Sequence, residues 1–403
     1  MGDILFLAHR VPFPPNRGDK IRSANLLRKL ATLGRVHVGC FAESAEDFAG
    51  VAELETLAAT KCVVKRSKPL VLAGAEAVLS GKPVSLTAFY SAQLQQWVCD
   101  SIAGGQIDTI VVFSGQMGQY VPDGYNGRVI VDLCDVDSAK FENYAAAGDR
   151  VWLNVREGRL LAIEEERLAR RADITTLISQ NEAALFRSRL CNPSDVSVEV
   201  LGNGIDAESF DPSRVEPHPE LLDQAGPHFV FTGQMDYRPN ESAALWAIEK
   251  FVPVMRAAYP DGMVHIVGRN PTPVLTAHDG ASGVRVWGEV PDVKPFLAGA
   301  DCVIAPLLIA RGVQNKVLEA MAMARPVMLT NDAATGIAAK DGEHLLIANA
   351  DPAEMLARFE ALEETPDIGA AARQFVLEHH AWNAMLAPLS GFVNGQQEAR
   401  NAA

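Results

Sequence analysis

The chain has 403 residues, of which 48% are hydrophobic and 21% charged, and its formal net charge is −14 at pH 7. This length suits two or three domains, and the composition is that of a globular protein with a sizeable core. The negative charge argues against nucleic acid as the main partner. No apolar run reaches the roughly 18–20 residues that a membrane-spanning helix needs.

The six cysteines are scattered and include no Cys-x-x-Cys pair, which favours reduced core thiols over a disulfide framework or a zinc site. The N-terminal apolar run, Ile4 to Ala8, lacks a basic start and is too short for a secretory signal, so it is predicted to form the first strand. We therefore expect a cytoplasmic protein.

Cations are concentrated near the N-terminus. Arg10, Arg17, Lys20, Arg22, Arg28, Lys29 and Arg35 lie in one stretch, with Asp19 as its single acid. This stretch indicates attraction to anionic lipid or to a phosphate-bearing substrate. A basic, solvated helix face explains the pattern equally well.

Strand and helix patterns alternate along the first half. Strands are predicted at 3–8, 36–41, 109–113, 128–133, 174–179 and 196–201, and helices near 20–33, 45–59, 90–103, 157–172 and 180–189. The helix at 20–33 is amphipathic, with Ile21, Ala24, Leu27, Leu30 and Ala31 on one face.

A proline-rich segment from Pro212 to Pro219 is predicted to be a linker between two domains. Strands then recur at 228–233, 263–268, 284–287, 302–306 and 326–330, and helices near 240–258, 292–299, 312–324, 351–363 and 367–380. Alternating elements with near-continuous apolar strands predict parallel sheets covered on both sides, hence two Rossmann-like, doubly wound α/β domains facing a cleft. The predicted divisions are 1–205, a linker at 206–226, 227–380, and a final helix and frayed tail at 381–403. Ligands should bind at the carboxyl ends of the strands.

The first strand-to-helix connection runs from His9 to Lys20 and contains three prolines. Its glycine and cations suit a phosphate, although no Gly-x-Gly-x-x-Gly fingerprint is present. An ordinary surface turn is an equally good explanation. The candidate acceptor-side or phosphate-side residues here are His9, Arg17, Gly18, Asp19 and Lys20.

Asp135 and Asp137 follow another apolar strand. Alternate residues at a strand end point to opposite sides, so one aspartate is predicted to contact an acceptor or act as a base while the other caps the next helix. A metal role is disfavoured because no further ligand is spaced to complete a coordination shell.

Two strand ends in the second half carry a glycine close to a cation. Gly233 precedes Arg238, and Gly268 precedes Arg269; Asn240 is a candidate N-cap of the following helix. Each glycine is weak evidence singly, because glycine is common in turns. Together with Gly312, which follows a third strand beside Arg311, they favour a phosphate-bearing ligand.

The stretch 311–324 follows the apolar run Cys302 to Pro306 and begins Arg311-Gly312-Val313-Gln314-Asn315-Lys316. A helix start suits a phosphate, and Lys316 adds a mobile cation. Glu319 lies on the same side of the helix and could accept hydrogen bonds from two ribose hydroxyls. The alternative is a solvated Lys–Glu pair.

These segments resemble the GT-B glycosyltransferases of the large family 4 (group 1) class over nearly the whole chain. More narrowly, they resemble bacterial sugar transferases associated with exopolysaccharide assembly and C-terminal protein sorting (PEP-CTERM). The matching segments are 9–23, 135–138, 231–237, 267–271 and 311–324. The resemblance implies a nucleotide-sugar donor held by the second domain, an acceptor held by the first, no essential metal, and a final helix crossing back to the first domain.

The family signature is Glu-Gly-Phe-Gly, four residues, then Glu. Its second Glu corresponds to Glu319, which implies the ribose role. Its first Glu corresponds to Arg311, and Val313 and Gln314 replace its Phe and Gly. We hypothesise that Arg311 contacts the diphosphate or pairs with a carboxylate on the donor sugar.

The sequence thus predicts a metal-independent glycosyltransferase that moves a sugar from a UDP- or GDP-type donor to a lipid-linked or saccharide acceptor, with retention, in exopolysaccharide or cell-envelope glycan synthesis. Lys316, Arg311 and Asp135 are the candidate catalytic residues. Donor-binding candidates are Gly233, Arg238, Gly268, Arg269, Gly312, Val313, Gln314, Asn315, Lys316 and Glu319. No cofactor beyond the donor is expected, and peripheral contact with an anionic membrane is a further expectation.

Three alternatives stay open. A nucleotide-sugar 2-epimerase could use the same fold. A catalytically inactive scaffold would fit the missing first Glu. An NAD-dependent oxidoreductase is weaker, because the dinucleotide fingerprint is absent.

Overall fold

The computed structural model describes residues 2–310, 313–365 and 367–395, and these fall into two compact units. Unit 1 comprises residues up to Asn203 together with the segment from Met385, and unit 2 comprises Gly204–Ala384. The predicted site residues Arg311 and Gly312, and the tail from Gln396, lie outside the described residues. No described helix is long and apolar enough to cross a membrane.

Unit 1 is built on a parallel sheet with the strand order β3-β2-β1-β4-β5-β6-β7. Its strands are β1 Asp3–Ala8, β2 Val36–Ala42, β3 Ala58–Lys65, β4 Ile107–Phe113, β5 Arg128–Cys134, β6 Ile174–Leu177 and β7 Val198–Val200. Its helices are α1 Gly18–Leu33, α2 Ala45–Ala49, α3 Val51–Leu57, α4 Leu70–Ser80, α5 Val84–Ala88, α6 Ala92–Ala103, α7 Asp137–Ala146, α8 Val151–Arg171 and α9 Gln180–Arg189. Short 3-10 turns occupy Gly115–Tyr120 and Pro193–Asp195.

Unit 2 is built on a second parallel sheet with the order β10-β9-β8-β11-β12-β13. Its strands are β8 His228–Thr232, β9 Met263–Val267, β10 Val284–Gly288, β11 Cys302–Ala305, β12 Val327–Leu329 and β13 Leu346–Ile347. Its helices are α10 Pro219–Leu222, α11 Arg238–Trp246, α12 Val252–Ala258, α13 Pro273–Thr276, α14 Lys294–Ala298, α15 Asn315–Ala322, α16 Pro352–Glu360, α17 Ile368–His379 and α18 Trp382–Met385, which ends at the unit boundary. Helix α19 Pro388–Asn394 belongs to unit 1, where the Phe392 carbonyl accepts a hydrogen bond from Arg128 (3.1 Å).

The central strands are buried along almost their whole length, as β1 and β8 show. Such strands need helices on both sides, because apolar side chains point alternately to each side of the sheet. The predicted fold class, two doubly wound α/β domains, is confirmed.

Several element predictions were wrong. The helix predicted at 45–59 is two short helices, and the chain then forms edge strand β3, whose exposed polar positions hid its strand pattern. Helices α4 and α7 and strand β13 were not predicted. The helix predicted at 240–258 contains a π-helical segment at Ala247–Phe251.

The predicted apolar side of α1 also needs correction. Ile21 is 37% exposed, whereas the basic residues Lys20 and Arg22 are buried. Lys20 pairs with Asp47 at 2.5 Å, and Arg22 forms a two-pronged ion pair with Asp132 (2.7 and 3.0 Å). Both cations hold α1 to the sheet and its loops, so they are buried without violating the rule that buried charge needs a partner.

The basic N-terminal stretch therefore carries less uncompensated positive charge in the folded structure than its sequence indicates. Six of its seven cations face a carboxylate: Arg10 and Arg17 face Asp19, Lys20 faces Asp47, Arg22 faces Asp132, Arg28 faces Glu53 and Arg35 faces Asp3. Most of these acids come from distant parts of the chain. The stretch therefore does not present a block of unpaired positive charge.

Candidate functional site

In unit 2 the strand order reverses between β8 and β11, which are neighbours in the sheet although β9 and β10 separate them in sequence. Loops after such strands leave in opposite directions and open a crevice at the carboxyl ends of the strands. Gly233 directly follows β8, and helix α15 follows β11. The fold therefore brings the predicted donor-binding residues Gly233 and Lys316 to one place.

Lys316 is the central cation of this crevice. Its Nζ donates a hydrogen bond to Asn240 Oδ1 (2.5 Å) and lies 4.6 Å from the centroid of the Phe231 ring. Burial lowers the pKa of Lys316 to about 8, and the negative charge of Glu319 opposes that shift only in part. Lys316 is thus a poorly solvated ammonium with no close carboxylate bonded to it, which suits an anionic ligand.

Asn240 does not cap α11 as predicted. Tyr237 is the N-cap residue, and the Asn240 side chain instead donates to the Gln234 carbonyl (2.9 Å) while accepting from Lys316. The amide therefore fixes both the glycine loop and the cation, a role that sequence reasoning missed.

Glycine is required at position 233 by the approach of these side chains. A Cβ there would lie 2.9 Å from Lys316 Nζ and from Asn240 Nδ2. Gly268, at the end of β9, has a φ of +151°, and a Cβ there would lie 1.6 Å from the Gly233 carbonyl oxygen. The two glycine loops therefore contact each other through backbone alone.

Side chains tie the same two loops together at the surface. Arg269 donates to Gln234 (2.7 Å), and Asn270 donates to Asp236 (3.1 Å). Arg238, at the start of α11, is exposed and forms no ion pair with a described residue. Arg269 and Arg238 thus supply two surface cations beside the buried one.

Glu319 lies one turn after Lys316 and is half-buried. Burial raises the pKa of Glu319, and the positive charge of Lys316 opposes the shift. Of the preceding residues, Val313 and Asn315 are exposed, and Gln314 is the N-cap residue of α15 without a side-chain capping bond. The structure brings Gly233, Gly268, Lys316 and Glu319 to one edge of the sheet.

Unit 1 has its own reversal, between β1 and β4. His9 directly follows β1 there, stacks on Phe113 (centroids 5.4 Å apart, 25° between planes) and contacts Phe89 edge to face at 5.9 Å. Burial lowers the pKa of His9, although its hydrogen bond to Asp19 opposes this, so the imidazole is neutral at pH 7.

The hydrogen bonds around His9 determine its tautomer. His9 Nε2 lies 3.2 Å from Asp19 Oδ2, and Asp19 also accepts from Arg10 (2.7 Å). Burial alone would raise the pKa of Asp19, but the bonds from His9 and Arg10 keep it well below its usual range. Because the carboxylate can only accept, Nε2 carries the hydrogen and Nδ1 has a free lone pair. Nδ1 is buried without a hydrogen-bond partner.

The other predicted residues at the connection between β1 and α1 have different environments. Arg17 is bonded to Asp19 (2.7 Å), and Gly18 is the first residue of α1 with open space around its Cα. Lys20 lies in its buried pair with Asp47, so it is part of the scaffold.

A group of acidic residues in unit 1 lies after β5 and on the helices packed beside it. Asp137 is the first residue of α7 and makes no capping bond; Val136 is the N-cap, so the predicted capping aspartate was wrong. Burial, with Glu182 next in size, raises the pKa of Asp135. Glu165 accepts from the Ser138 backbone (2.9 Å) and hydroxyl (2.5 Å), and burial raises the pKa of Glu165 to about 7. Glu165 was not predicted to be a site residue, because the run Glu164-Glu165-Glu166 is typical of the solvent-exposed side of a helix.

Backbone strain marks the same edge of the sheet. Ser114 after β4 and Cys134 at the end of β5 have φ values of 76° and 67°, a region that non-glycine residues rarely adopt. Within the described ranges, no group of three or more His, Cys, Asp or Glu side chains is arranged to hold a metal ion.

Comparison with known proteins gives a family match for part of unit 2. Residues 226–364 match the sequence profile of the family described as Glycosyl transferases group 1. No curated protein matches the chain in sequence.

Solved structures of the same fold cover nearly the whole chain. A sucrose-phosphate synthase from Thermosynechococcus elongatus is 14% identical, with a TM-score of 0.56, over 98% of this chain and 99% of its own. Anabaena HepE, solved in complex with UDP, is 15% identical with a TM-score of 0.60, over 98% and 100%. WaaG, a glycosyltransferase involved in lipopolysaccharide biosynthesis, is 16% identical with a TM-score of 0.52, over 97% and 100%.

The low identities to these structures establish only the shared fold. The profile match identifies residues 226–364 of unit 2 as a glycosyl transferase group 1 domain. The predicted resemblance to group 1 glycosyltransferases is confirmed at this level. The chain carries a glycosyl transferase group 1 domain at residues 226–364 within a GT-B fold of two α/β units.

Proposed function

We propose that the protein transfers a sugar from a nucleotide diphosphate sugar to a lipid-linked or saccharide acceptor. The observation that carries this proposal is the poorly solvated Lys316, held by Asn240 above Gly233 at the strand reversal of the group 1 domain. Such a cation stabilises the charge that develops on a departing diphosphate.

Binding would exchange one hydrogen-bond partner of Lys316 for another. The Asn240 amide oxygen is neutral, so a diphosphate oxygen at that position would make a stronger, charge-assisted bond. The glycine loop leaves room for such an approach, and Arg238 and Arg269 lie on the same loops. These cations supply the positive charge that a metal would otherwise bring, and we therefore propose a metal-independent reaction.

The nucleoside would be held through Glu319, whose carboxylate can accept from both ribose hydroxyls. HepE was solved with UDP, with UDP and glucose, and with UDP-glucose, which supports a UDP-type donor for this chain. GDP-type donors remain in the proposal. For Arg311, the proposed role is a contact to the diphosphate or to a carboxylate on the donor sugar.

The acceptor would be bound by unit 1. His9 is the acceptor-side candidate of the loop after β1, and Asp135 is the candidate base. In the transfer, the acceptor oxygen bonds to the anomeric carbon on the face from which the diphosphate departs, the bond from that carbon to the diphosphate breaks, and the diphosphate takes the electron pair. The hydroxyl proton passes to the base. We propose retention of configuration and a role in exopolysaccharide or cell-envelope glycan synthesis at the cytoplasmic side of the membrane. The description of WaaG as a glycosyltransferase involved in lipopolysaccharide biosynthesis supports the proposed role in cell-envelope glycan synthesis.

Calorimetric titration with UDP, GDP, UDP-glucose, GDP-mannose and UDP-glucuronic acid tests donor binding. We expect at least one ligand to bind and Lys316→Ala to weaken its binding at least tenfold. Lys250→Ala, which changes an exposed lysine of the π-helical segment Ala247–Phe251, should leave binding unchanged. Binding that ignores Lys316→Ala would contradict the proposed site.

Transfer is tested by UDP or GDP release and by incorporation of labelled sugar into a bacterial lipid extract, with and without EDTA. Release only with the extract, and unaffected by EDTA, supports a metal-independent transferase. Release without acceptor together with formation of a 2-epimer would point to an epimerase, and binding without turnover would point to a scaffold.

A further inference from the structure

Helix α4 presents an apolar side to solvent. Val71 is 83% exposed and Leu79 is 89% exposed, and Leu70, Leu72 and Val78 are each 60% or more exposed. A surface helix of a globular domain normally carries charged residues on its outer side. Here the outer side consists of Val, Leu and Ala, so its composition needs an explanation.

The packing of α4 shows that this apolar side is not part of the core. The buried residues of the helix are Ala73 and Ala77, one turn apart, and the Ala73 carbonyl accepts from the Thr87 hydroxyl (2.8 Å). Small residues thus attach α4 to α5, while the large ones point outward. Glu76, the helix's single charged residue, is neutralised by Lys68 at 2.8 Å.

The start of α8 continues the same surface. Trp152 is 71% exposed, and Val151 and Val155 are each at least half exposed. Arg156 donates to the Ala77 carbonyl (2.7 Å) and the Lys82 carbonyl (3.1 Å), so this part of α8 lies against the end of α4. A neighbouring pocket of about 440 Å³ is lined by Gly81 and Lys82, which follow α4, and by Leu160 and the exposed Ile163 of α8. We call Val71, Leu72, Val78, Leu79 and Trp152 the apolar face.

Cations surround the apolar face without acidic partners. Lys82, Arg150 and Arg159 are exposed, and none of them forms an ion pair with a described carboxylate. The exposed acid nearest in sequence is Asp149, which precedes Arg150. This differs from the N-terminal stretch, where six cations are paired.

We propose that the apolar face docks on an anionic lipid bilayer, with α4 lying in the plane of the membrane surface. An 11-residue helix is too short to span a bilayer but suits insertion at the headgroup boundary. Tryptophan is favoured at that boundary, and unpaired cations attract anionic headgroups. A protein partner fits less well, because the face joins an uncharged apolar centre to cations of one sign. The proposal does not depend on the sugar-transfer activity.

Co-sedimentation with vesicles tests it directly. The full chain is mixed with vesicles of phosphatidylcholine alone or of phosphatidylcholine with 30% phosphatidylglycerol, without any nucleotide sugar. We expect binding to the anionic vesicles that falls at least tenfold in Val71→Ser/Leu79→Ser and severalfold in Lys82→Gln/Arg159→Gln. Leu222→Ser and Lys250→Gln, equivalent changes on unit 2, should bind like the wild type.

Far-ultraviolet circular dichroism and thermal melting check that each variant is folded. Tryptophan fluorescence of Trp152, compared with Trp152→Phe, should shift to the blue with anionic vesicles, which a folding defect would not imitate. Equal binding of wild type and Val71→Ser/Leu79→Ser, no binding to anionic vesicles, or self-association through α4 without lipid binding would each overturn the proposal.

Discussion

Lys316 Nζ lies 2.5 Å from Asn240 Oδ1, although the two residues are 76 positions apart in sequence. This bond joins the helix after β11 to the helix after β8 across the strand reversal of unit 2. It supplies Lys316 with a neutral acceptor and leaves its charge uncompensated by any bonded carboxylate. We propose that the diphosphate of the nucleotide sugar supplies the negative charge that Lys316 lacks.

The first prediction concerns the pH dependence of nucleotide binding. Burial lowers the pKa of Lys316 to about 8, so its amine is charged at pH 7 and becomes neutral as the pH rises. We expect the affinity for UDP or GDP to fall by about tenfold per pH unit above pH 8, until the pH reaches the higher pKa that the amine has beside the bound diphosphate. Calorimetry at pH 6.5–9.5 measures this. A flat profile would contradict a role for the Lys316 charge.

The same pKa predicts a stability effect. Between pH 8 and the ordinary lysine value, the unfolded chain binds more protons than the folded one, so the free energy of unfolding rises with pH. We expect Lys316→Met to lose nucleotide binding but to be at least as stable as the wild type at pH 7. The advantage is about 1–3 kcal/mol, given a shift of this size and the lost bond to Asn240. Urea unfolding at pH 7 and pH 9.5 should show the advantage shrinking at the higher pH. A variant much less stable than the wild type at both pH values would indicate a structural role for Lys316.

The glycine loops predict two different outcomes for the same substitution. A Cβ at Gly233 meets the ends of two side chains, whereas a Cβ at Gly268 meets backbone. Gly233→Ala should therefore fold but bind nucleotide at least tenfold more weakly, because it displaces Lys316 and Asn240. Gly268→Ala should lose about 2–4 kcal/mol of stability. Gly124→Ala, where the space is open, is the matched control for both.

The strands and the crevice could be predicted from sequence because apolar runs and glycines at strand ends are local patterns. Lys316 and Glu319 were found together since three positions on a helix bring side chains to one side. Asn240 and Phe231 were not assigned to Lys316, because contacts between distant segments leave no mark in a single sequence. For the same reason, the acids that neutralise the N-terminal cations were not foreseen. Helix α4 escaped prediction because its uniformly apolar pattern has no period.

His9 provides a spectroscopic prediction. Its neutral ring should carry hydrogen on Nε2, because that atom faces the Asp19 carboxylate, and its pKa should lie below 6.5. Long-range proton–nitrogen spectra of histidine-labelled protein report both properties. Asp19→Asn removes a partner that favours the charged imidazole, so the pKa of His9 should fall further. Hydrogen on Nδ1 instead would contradict the hydrogen bond from Nε2 to Asp19.

The Arg22–Asp132 pair is expected to be a major contributor to the stability of unit 1. Arg22 also donates to the Leu201 carbonyl (2.7 Å) and to Asn203 Oδ1 (2.8 Å), and Asp132 accepts from Thr176 as well. Arg22→Ala leaves a buried carboxylate uncompensated and should cost about 3–5 kcal/mol. Arg28→Ala breaks an exposed pair with Glu53 and should cost less than about 1 kcal/mol. Equal losses in urea unfolding would show that burial does not set the strength of these pairs.

The ribose role of Glu319 can be separated from a general effect on the site by changing the ligand. Its carboxylate is expected to accept from the two ribose hydroxyls, so Glu319→Ala should weaken UDP binding by about 10–100-fold, the range for charge-assisted hydrogen bonds. The 2′,3′-dideoxy form of UDP lacks both hydroxyls, and its weaker binding should be nearly the same in wild type and variant. Lys316→Ala, in contrast, should weaken both ligands equally, because both carry the diphosphate. If Glu319→Ala weakened the dideoxy ligand as much as UDP, the carboxylate would act by orienting Lys316, and the ribose contact would lie elsewhere.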